Sequence, residues 1–237
     1  MNVNINTQVN FKSKANPISP FVIKTKRGKV SVSELYERDL RRDDFMKNLT
    51  KFFCKNFASS TNDPNWKIFL SKSNVNYECA LLDFIKYYAG RIAGKDEHMT
   101  LLLAKDKRNK IQGACLSYGL DCVPGAKENA CYIDSIAVNP AYRGFSIGKI
   151  LIEKTLNSAK NKFTDAFLTG DRHVKGFYSK LGFQAFDKNN PHQKIIMDYF
   201  EKRRSDYPEF VELYTMPLQE TSKRWYEKSA ESIISEM

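Results

Sequence analysis

Short apolar stretches bounded by polar turns run through most of the chain, and this pattern predicts strands. The predicted strands are a hairpin of residues 21–25 and 29–32, two strands at 99–105 and 111–120 around a polar turn, and further strands at 132–138, 166–169 and 211–216. A Pro124-Gly125 turn separates the fourth strand from the fifth. The early strands therefore resemble a meander.

Other stretches repeat apolar residues at a spacing of three to four, which predicts amphipathic helices. The first predicted helix begins after Asp43 and Asp44 and has the stripe Phe45, Leu49, Phe52, Phe53 and Phe57; the second has the stripe Leu81, Phe84, Ile85, Tyr88 and Ile92 and ends at Gly94. A third runs from Ile147 to about Lys160, and a short fourth has the stripe Val174, Phe177, Tyr178 and Leu181. A last helix is capped by Thr221. This order of elements predicts a mixed α/β (α+β) fold with helices on both sides of a sheet.

The chain has 237 residues, which is enough for one full-sized core, so we expect one domain with decorations. Residues 1–17 are polar and rich in Asn, which is typical of a disordered tail. We expect residues 18–237 to form the domain. Within it, residues 187–208 resemble a polar, partly helical insertion, and residues 219–237 resemble a C-terminal helix.

The composition limits the class of protein, the cellular compartment and the kinds of site that we expect. Hydrophobic residues make up 42% of the chain and aromatic residues 13%, which excludes global disorder. The five cysteines form no C-x-x-C pair and no zinc spacing with the three histidines, so we expect reduced thiols and no metal. The chain shows no secretory signal and no apolar run of membrane-spanning length. We therefore expect a cytoplasmic protein with no membrane partner.

The net charge of +11 is concentrated near the N-terminus, where residues 1–60 hold 12 Lys and Arg against 5 Asp and Glu. Such a basic region could meet nucleic acid, anionic lipid or a polyanionic cofactor, and a solvated basic surface explains it equally well. The segment has no nucleic-acid recognition motif and no interleaved aromatic and basic residues. Nucleic acid is therefore not the partner that we favour.

The stretch from Ile133 to Leu151 says most about chemistry. A predicted strand stops at Asn139-Pro140, a turn of small residues follows, and a predicted helix begins at Ile147. Backbone N–H groups converge where side chains are small, and the helix dipole adds partial positive charge there. This arrangement predicts a site for a phosphate-bearing ligand. The turn follows several strands, whereas the glycine turn of a dinucleotide-binding fold follows the first strand.

Two motifs in this order resemble those of the GNAT superfamily of acetyl-CoA-dependent N-acetyltransferases. The first is its Arg/Gln-x-x-Gly-x-Gly/Ala loop, matched by Arg143-Gly144-Phe145-Ser146-Ile147-Gly148 after the strand end Ile136-Ala137-Val138-Asn139-Pro140. The second is Phe-Tyr-x-x-x-Gly-Phe, matched by Phe177-Tyr178-Ser179-Lys180-Leu181-Gly182-Phe183. The resemblance is specific over about residues 99–186. Ser146 departs from it, because it stands where the family usually has the first glycine of a pair.

The resemblance implies an acyl-CoA N-acyltransferase fold, with a central mixed, mostly antiparallel sheet flanked by helices, and acetyl-CoA as cosubstrate. It further implies which residues bind that molecule. The implied pyrophosphate site consists of the backbone amides of Arg143, Gly144, Phe145, Ser146, Ile147 and Gly148, and the implied pantetheine site is the strand edge at Ile136, Ala137 and Val138. If position 146 needs a positive φ, a serine there is less favourable than glycine.

Tyr178 matches the family's usual general acid, which protonates the CoA thiolate as the amine displaces it. Taken by itself, Tyr178 shares a helical face with Val174 and Leu181, which also suits an ordinary core tyrosine. The residues leave both interpretations open.

The general base is less determined. Asp134 lies within the fifth predicted strand, where period-two spacing places it on the face of Tyr132, Ile136 and Val138. A carboxylate in an apolar strand needs a partner or a task, so a structural aspartate is an equal alternative. Asp171 is the other candidate, and water can also take the proton.

We therefore expect transfer of an acetyl or short acyl group from acetyl-CoA to a primary amine by direct attack, in a monomer or homodimer. The fold does not determine the acceptor, which is a small molecule or a protein. The alternative is a non-catalytic CoA-binding or basic interaction module on the same fold. Nothing in the sequence brings Cys115, Cys122 or Cys131 to His173 for covalent catalysis.

Overall fold

The computed structural model describes residues 18–35, 39, 44–57, 87, 91, 98–120, 130–186 and 211–218. The strands are β1 (Phe21–Thr25), β2 (Gly28–Glu34), β3 (Met99–Asp106), β4 (Ile111–Gly119), β5 (Ala130–Val138), β6 (Asp165–Asp171), β7 (Gln184–Ala185) and β8 (Val211–Pro217). The helices are α1 (Phe45–Phe57), α2 (Ile147–Ala159) and α3 (Lys175–Lys180), with single 3₁₀ turns at Pro140–Tyr142 and Arg172–Val174.

Several predicted features lie outside the described residues. They are the tail 1–17, the insertion 187–208 and the helix after Thr221. Of the predicted helix from Leu81 to Ile92, the structure describes only Tyr87 and Arg91, and both are helical.

The strands form one mixed sheet in the order β1-β2-β3-β4-β5-β6-β8-β7. All neighbouring strands are antiparallel except β5 and β6, which are parallel. The predicted sheet, central and mostly antiparallel with helices on both faces, is therefore confirmed. The short strand β7 was not predicted, because its two exposed residues carry no apolar pattern of their own.

Two hydrophobic cores cover the two faces of the sheet. The α2-side core includes strand residues such as Leu102, Cys115, Ile133 and Leu168 together with Ile147, Leu151 and Leu156 of α2. The α1-side core includes Leu103, Leu116, Tyr132 and Phe167 together with Phe45, Leu49 and Phe53 of α1. Successive strand residues point to opposite faces, so inner strands such as β3 and β4 contribute residues to both cores. Nearly every residue of these two strands is therefore buried.

Three chain segments that are far apart in sequence meet where the strands end, on one side of the sheet. Thr25 pairs with Gly28, so the β1–β2 turn lies at these strand ends. The pairs of Val30 with Asp106 and of Gly113 with Val138 bring the β3–β4 turn and the carboxyl end of β5 to the same place. The loop from β5 to α2 therefore starts beside two hairpin turns.

Candidate active site

The parallel strands β5 and β6 pair only over the first part of their length. The register joins Ala130 with Asp165 and ends where Ile133 meets Leu168. Beyond that point β5 continues to Val138 in pairing with β4, and β6 continues to Asp171 in pairing with β8. The sheet therefore opens between the carboxyl ends of β5 and β6, which is where ligands bind in sheets with parallel strands.

The loop that follows β5 is held in a defined path. The Oδ1 of Asn139 accepts a hydrogen bond from the N–H of Ala141 at 3.0 Å and caps the 3₁₀ turn. Two residues then adopt positive φ, Gly144 at 81° and Ser146 at 61°. Ser146 is thus a non-glycine residue in the left-handed region, at the position where the resemblance leads one to expect glycine.

Helix α2 begins directly after this loop with open backbone donors. The first N–H groups of any α-helix have no partner within the helix. Ser146 occupies the N-cap position but its side chain makes no capping hydrogen bond, and the first turn contains no acidic residue. With 13 residues, α2 presents a full helix dipole at this end. The backbone N–H of Arg143, the first residue of the predicted anion cradle, donates instead to the carbonyl oxygen of Pro140 at 3.2 Å. The donors and the sign of charge that favour a pyrophosphate therefore lie at the start of α2.

Gly113 of β4 lets α2 start close to the sheet, because a Cβ on it would lie 2.9 Å from Cγ2 of Ile147. A Cβ on Gly148 would lie at ordinary contact distance, 3.4 Å from Cγ2 of Val138 and 3.5 Å from Cζ of Phe177. The glycine loop and the Phe177-Tyr178 motif are therefore close in space, although they are far apart in sequence. The sequence analysis did not identify Gly113. A single glycine inside an apolar strand often marks the close approach of another element, and this pattern could have identified it.

The strand residues predicted for the pantetheine arm lie at the open side of β5. Ile136 and Val138 pack against the α2-side core, and Ala137 belongs to the α1-side core. The Nε of Arg143 donates a hydrogen bond to the carbonyl oxygen of Val138 at 3.2 Å. This bond fastens the start of the glycine loop to the end of the strand.

Tyr178 lies across the opening, on α3. It is 7% exposed, and its ring contacts those of Phe177, Phe183 and Tyr214 at centroid distances of 5.3, 6.1 and 5.7 Å. The ring also rests on the backbone of β6, since a Cβ on Gly170 would lie 2.8 Å from its Cε2. The ring is therefore held by packing on several sides, which fixes where its hydroxyl can be.

The predicted orientation of Asp134 is right for Tyr132, which lies with it on the α1 side, and wrong for Ile136 and Val138, which pack against the α2-side core. Ser117 of β4 pairs with Ile133 and Leu116 pairs with Ser135, so Asp134 is the extra residue of a β-bulge. Ile133 and Ile136 consequently face the same core, and the period-two pattern is interrupted between them. Sequence spacing alone cannot reveal this, because an extra residue in one strand is defined only by the partner strand.

Asp134 lies instead beside the aromatic residues of the α1-side core. Its Oδ1 accepts a hydrogen bond from the hydroxyl of Tyr118 at 3.3 Å, and its Oδ2 accepts one from Ser135 at 2.6 Å. The hydroxyls of Tyr132 and Thr169 lie 3.2 Å apart nearby, on β5 and β6. Asp134 and Tyr178 are therefore on opposite faces of the sheet. The alternative base, Asp171, ends β6, and its side chain is outside the described residues.

A polar network that sequence reasoning missed supports the loop from the β3–β4 turn. The buried amide of Gln112 donates to Oδ2 of Asp106 at 2.8 Å and accepts from Nδ2 of Asn139 at 2.7 Å. Burial raises the pKa of Asp106, but hydrogen bonds from Lys110, Gln112 and Arg108 outweigh it and keep the pKa below its ordinary value. The signal that could have located this network is a lone Gln in an apolar strand.

A second missed pair lies beside Tyr178 on β8. The hydroxyl of Tyr214 donates to Oε2 of Glu212 at 2.9 Å, and Glu212 is opposite Gly170 in the β6–β8 register. The distance between these residues along the chain hides their proximity to Tyr178 from the sequence.

The two cysteines whose side chains the structure describes, Cys115 and Cys131, do not form a nucleophilic site. Both are buried. Burial raises the pKa of Cys115 to about 12, against a smaller lowering by its hydrogen bond with Thr155. The thiol therefore stays protonated near neutral pH. His173 is exposed in the turn after β6, and Cys122 lies outside the described residues.

Two kinds of feature are absent from the described part of the chain, a metal-binding cluster and a membrane-spanning helix. No cluster of three or more His, Cys, Asp or Glu that could hold a metal ion occurs there. No helix in the same ranges is both long and apolar enough to cross a membrane.

Comparisons with known proteins agree with this geometry. Residues 65–183, half of the chain, match the family described as Acetyltransferase (GNAT) family. A GNAT-family acetyltransferase from Staphylococcus aureus MU50 shares the fold at 16% identity and a TM-score of 0.53, over 80% of this chain and 99% of that chain. PH1933 from Pyrococcus horikoshii OT3 shares it at 13% identity and a TM-score of 0.52, over 79% and 98%. A search of curated proteins found no match.

The resemblance inferred from the two motifs is thereby confirmed at the level of the family. This chain belongs to the GNAT family of acetyltransferases, so it is an acyltransferase, and family membership supports acyl-CoA as its cosubstrate.

Proposed function

We propose that the protein transfers an acetyl or short acyl group from acyl-CoA to a primary amine by direct attack in a ternary complex. The observation that carries this proposal is the proximity of the two motifs across the opening between β5 and β6, since a Cβ added at Gly148 would lie 3.5 Å from Cζ of Phe177. One side offers amides for a pyrophosphate and the other offers a buried tyrosine. Holding both reactants in one opening is itself a large part of such catalysis.

The β5 side binds the cosubstrate mainly through backbone groups. The N–H groups from Gly144 to Gly148 hold the pyrophosphate, because that of Arg143 donates to Pro140, and the edge of β5 at Ile136–Val138 pairs with the pantetheine arm. This half of β5 extends beyond the last pair with β6, at Ile133 and Leu168, so no strand of the described residues covers its edge on that side. A backbone N–H on this edge polarises the thioester carbonyl, where negative charge develops during attack.

The two candidate proton carriers serve the reaction from opposite faces of the sheet. Tyr178 belongs to the α2-side core and protonates the departing thiolate. Asp134 is bonded to Tyr118 of the α1-side core and accepts the proton of the amine, directly or through water. The acceptor amine therefore approaches from the α1 side, while the thiol leaves toward the α2 side.

The remaining parts of the proposal concern the whole chain. Residues 18–237 act as one domain in the cytoplasm, as a monomer or homodimer. The acceptor is a small molecule or a protein that carries a primary amine.

Two measurements test the proposal. Acetyl-CoA should raise the melting temperature, because a ligand bound only by the native state stabilises it by mass action. The protein, incubated with labelled acetyl-CoA and a mixed pool of amines, should release free CoA thiol and yield labelled amides detectable by mass spectrometry. Absence of both effects at millimolar acetyl-CoA contradicts the proposal.

One observation favours a second candidate, a non-catalytic CoA-binding module. Ser146 occupies a left-handed position that glycine adopts at lower cost, which is what loss of selection on the loop would leave. Thermal stabilisation by acetyl-CoA without any labelled product from cell extracts would support this candidate over the enzyme.

A further inference from the structure

The two hairpin turns beside the cofactor loop have nearly the same sequence. Residues 24–29 read Lys-Thr-Lys-Arg-Gly-Lys, and residues 105–110 read Lys-Asp-Lys-Arg-Asn-Lys. The four basic residues occupy the same positions in both segments. These segments are the β1–β2 turn and the β3–β4 turn, and β2 pairs directly with β3. The matching basic segments are therefore neighbours in space.

The two turns also share a construction. Each contains a residue at positive φ, Gly28 at 112° and Asn109 at 60°. In each, a side-chain oxygen accepts the N–H of the arginine two residues later, Thr25 from Arg27 at 3.1 Å and Asp106 from Arg108 at 2.8 Å. These bonds use backbone groups of the arginines, so the guanidinium groups are not needed to form the turns.

Besides Lys24, six basic side chains of the two segments are exposed, and we call these six the basic edge. They are Lys26, Arg27, Lys29, Lys107, Arg108 and Lys110. Asp106 is the one acidic residue in the two segments, and both of its carboxylate oxygens accept hydrogen bonds. Cations this close repel one another, so the basic edge gains from a bound anion.

The basic edge lies next to the predicted pyrophosphate cradle. The guanidinium carbon of Arg27 lies 6.0 Å from the ring centroid of Tyr142, which immediately precedes Arg143. The β3–β4 turn reaches the same loop through Asp106, Gln112 and Asn139. An anion in the cradle is therefore close to both turns.

We propose that the basic edge, with Arg27 at its centre, binds the 3′-phosphate of CoA and makes the protein select CoA over 3′-dephospho-CoA. This inference rests on the proposed function and adds a contact that neither of the two motifs supplies. The cradle offers amides suited to the singly charged groups of a pyrophosphate. A phosphate monoester carries nearly two charges near pH 7 and favours an arginine, whose fork matches its oxygens.

The charge alone would also attract nucleic acid, through contacts with its phosphate backbone. The placement of Arg27 over Tyr142, beside a loop whose donors already suit a pyrophosphate, favours CoA. It also explains why the front of this chain is basic, since the β1–β2 turn supplies four of its cations.

The test compares two ligands on the full chain by calorimetry. Wild type should bind CoA at least about tenfold more tightly than 3′-dephospho-CoA, the effect of one charge-assisted contact. Arg27→Gln should weaken CoA until the two Kd values are nearly equal, and should leave the Kd of 3′-dephospho-CoA unchanged. Arg27→Lys should retain part of the preference. The matched control, Lys51→Gln, removes an exposed cation from α1 on the other face and should change neither value.

Each contrary result has a separate meaning. Equal binding of both ligands by wild type overturns this inference alone, and so does an Arg27→Gln variant that weakens both ligands equally. Absence of binding by either ligand overturns the proposed function together with the inference. Tight binding of a mixed-sequence oligonucleotide at moderate salt, lost in Arg27→Gln while CoA preference persists, assigns the basic edge to nucleic acid instead.

Discussion

The two sides of the opening between β5 and β6 are built on different principles. On the β5 side the proposed functional groups are backbone amides of an exposed loop, and Gly113 lets the start of α2 lie close to the sheet. On the β6 side the candidate group is one side chain, Tyr178, enclosed by aromatic rings and by Gly170.

This difference predicts which substitutions the β5 side and the β6 side of the opening tolerate. A backbone site depends on the path of the chain, so it should resist changes of side chain that leave φ and the helix position intact. A side-chain site depends on one hydroxyl and on the packing that orients it. The β5 side should therefore control binding of the cosubstrate, and the β6 side should control turnover.

The largest effect is expected for Tyr178→Phe. The ring and its contacts remain, but the hydroxyl is lost, so turnover should fall by roughly 10²–10⁴-fold, the range for a general acid. The Kd of acetyl-CoA and the melting temperature should stay near wild type. Steady-state kinetics with an accepted amine measure this. Tyr214→Phe is the control, because it removes a neighbouring buried hydroxyl that bonds to Glu212. Near-normal turnover in a folded Tyr178→Phe protein would show that Tyr178 is not the general acid and that solvent protonates the departing thiolate.

A large effect on binding is expected at Ser146. Leucine at this left-handed position adds bulk beside the amides and is unfavourable at positive φ, so acetyl-CoA binding should be abolished. Ser146→Gly should bind equally well or better, because glycine adopts this φ freely. Calorimetry on both variants decides the matter. Normal CoA binding by Ser146→Leu would show that the loop is not the phosphate site.

A moderate effect is expected when a methyl group is added at either of two closely packed glycines, Gly113 and Gly170. Gly113→Ala should displace the start of α2 and weaken acetyl-CoA binding, whereas Gly170→Ala should displace the Tyr178 ring and lower kcat. Each should reduce the free energy of unfolding by about 1–3 kcal/mol, as overpacking does.

The matched control for these variants is Gly176→Ala, since nothing lies within 4 Å of a Cβ there. Its position in α3 predicts unchanged or slightly higher stability. Denaturant titration gives the stabilities, and binding and rate measurements separate the two sides. If Gly113→Ala and Gly170→Ala change the same parameter, the proposed division of labour between the two sides is wrong.

The smallest effect concerns pH. The pKa of Asp106 is lowered in the folded protein, so its contribution to stability is present above the unfolded pKa of about 4 and is lost as pH falls through the folded value. The stability difference between wild type and Asp106→Asn should therefore shrink in acid. Thermal melts at several pH values measure this difference, and a gap that does not change with pH contradicts the assigned hydrogen bonds.

Local pattern was enough to predict much of the fold. The strand β4 and the helix α2 were predicted with nearly their observed bounds, because their apolar runs end at turn residues that stop any strand or helix. The loop at Arg143–Gly148 was predictable for the same reason, since small residues between a strand and a helix have few alternatives. The family followed from two such local motifs at a fixed separation.

The bulge at Asp134, the proximity of Phe177 to Gly148 and the adjacency of the two basic turns were decided only by the tertiary structure. Each depends on the register between strands or on elements that are distant in sequence. The apolar pattern of one segment reports which face is buried, but not which partner covers it or where that partner adds a residue. The proposed acceptor side has the same origin, because Asp134 of β5 bonds to Tyr118 of β4, and Tyr132 of β5 lies 3.2 Å from Thr169 of β6.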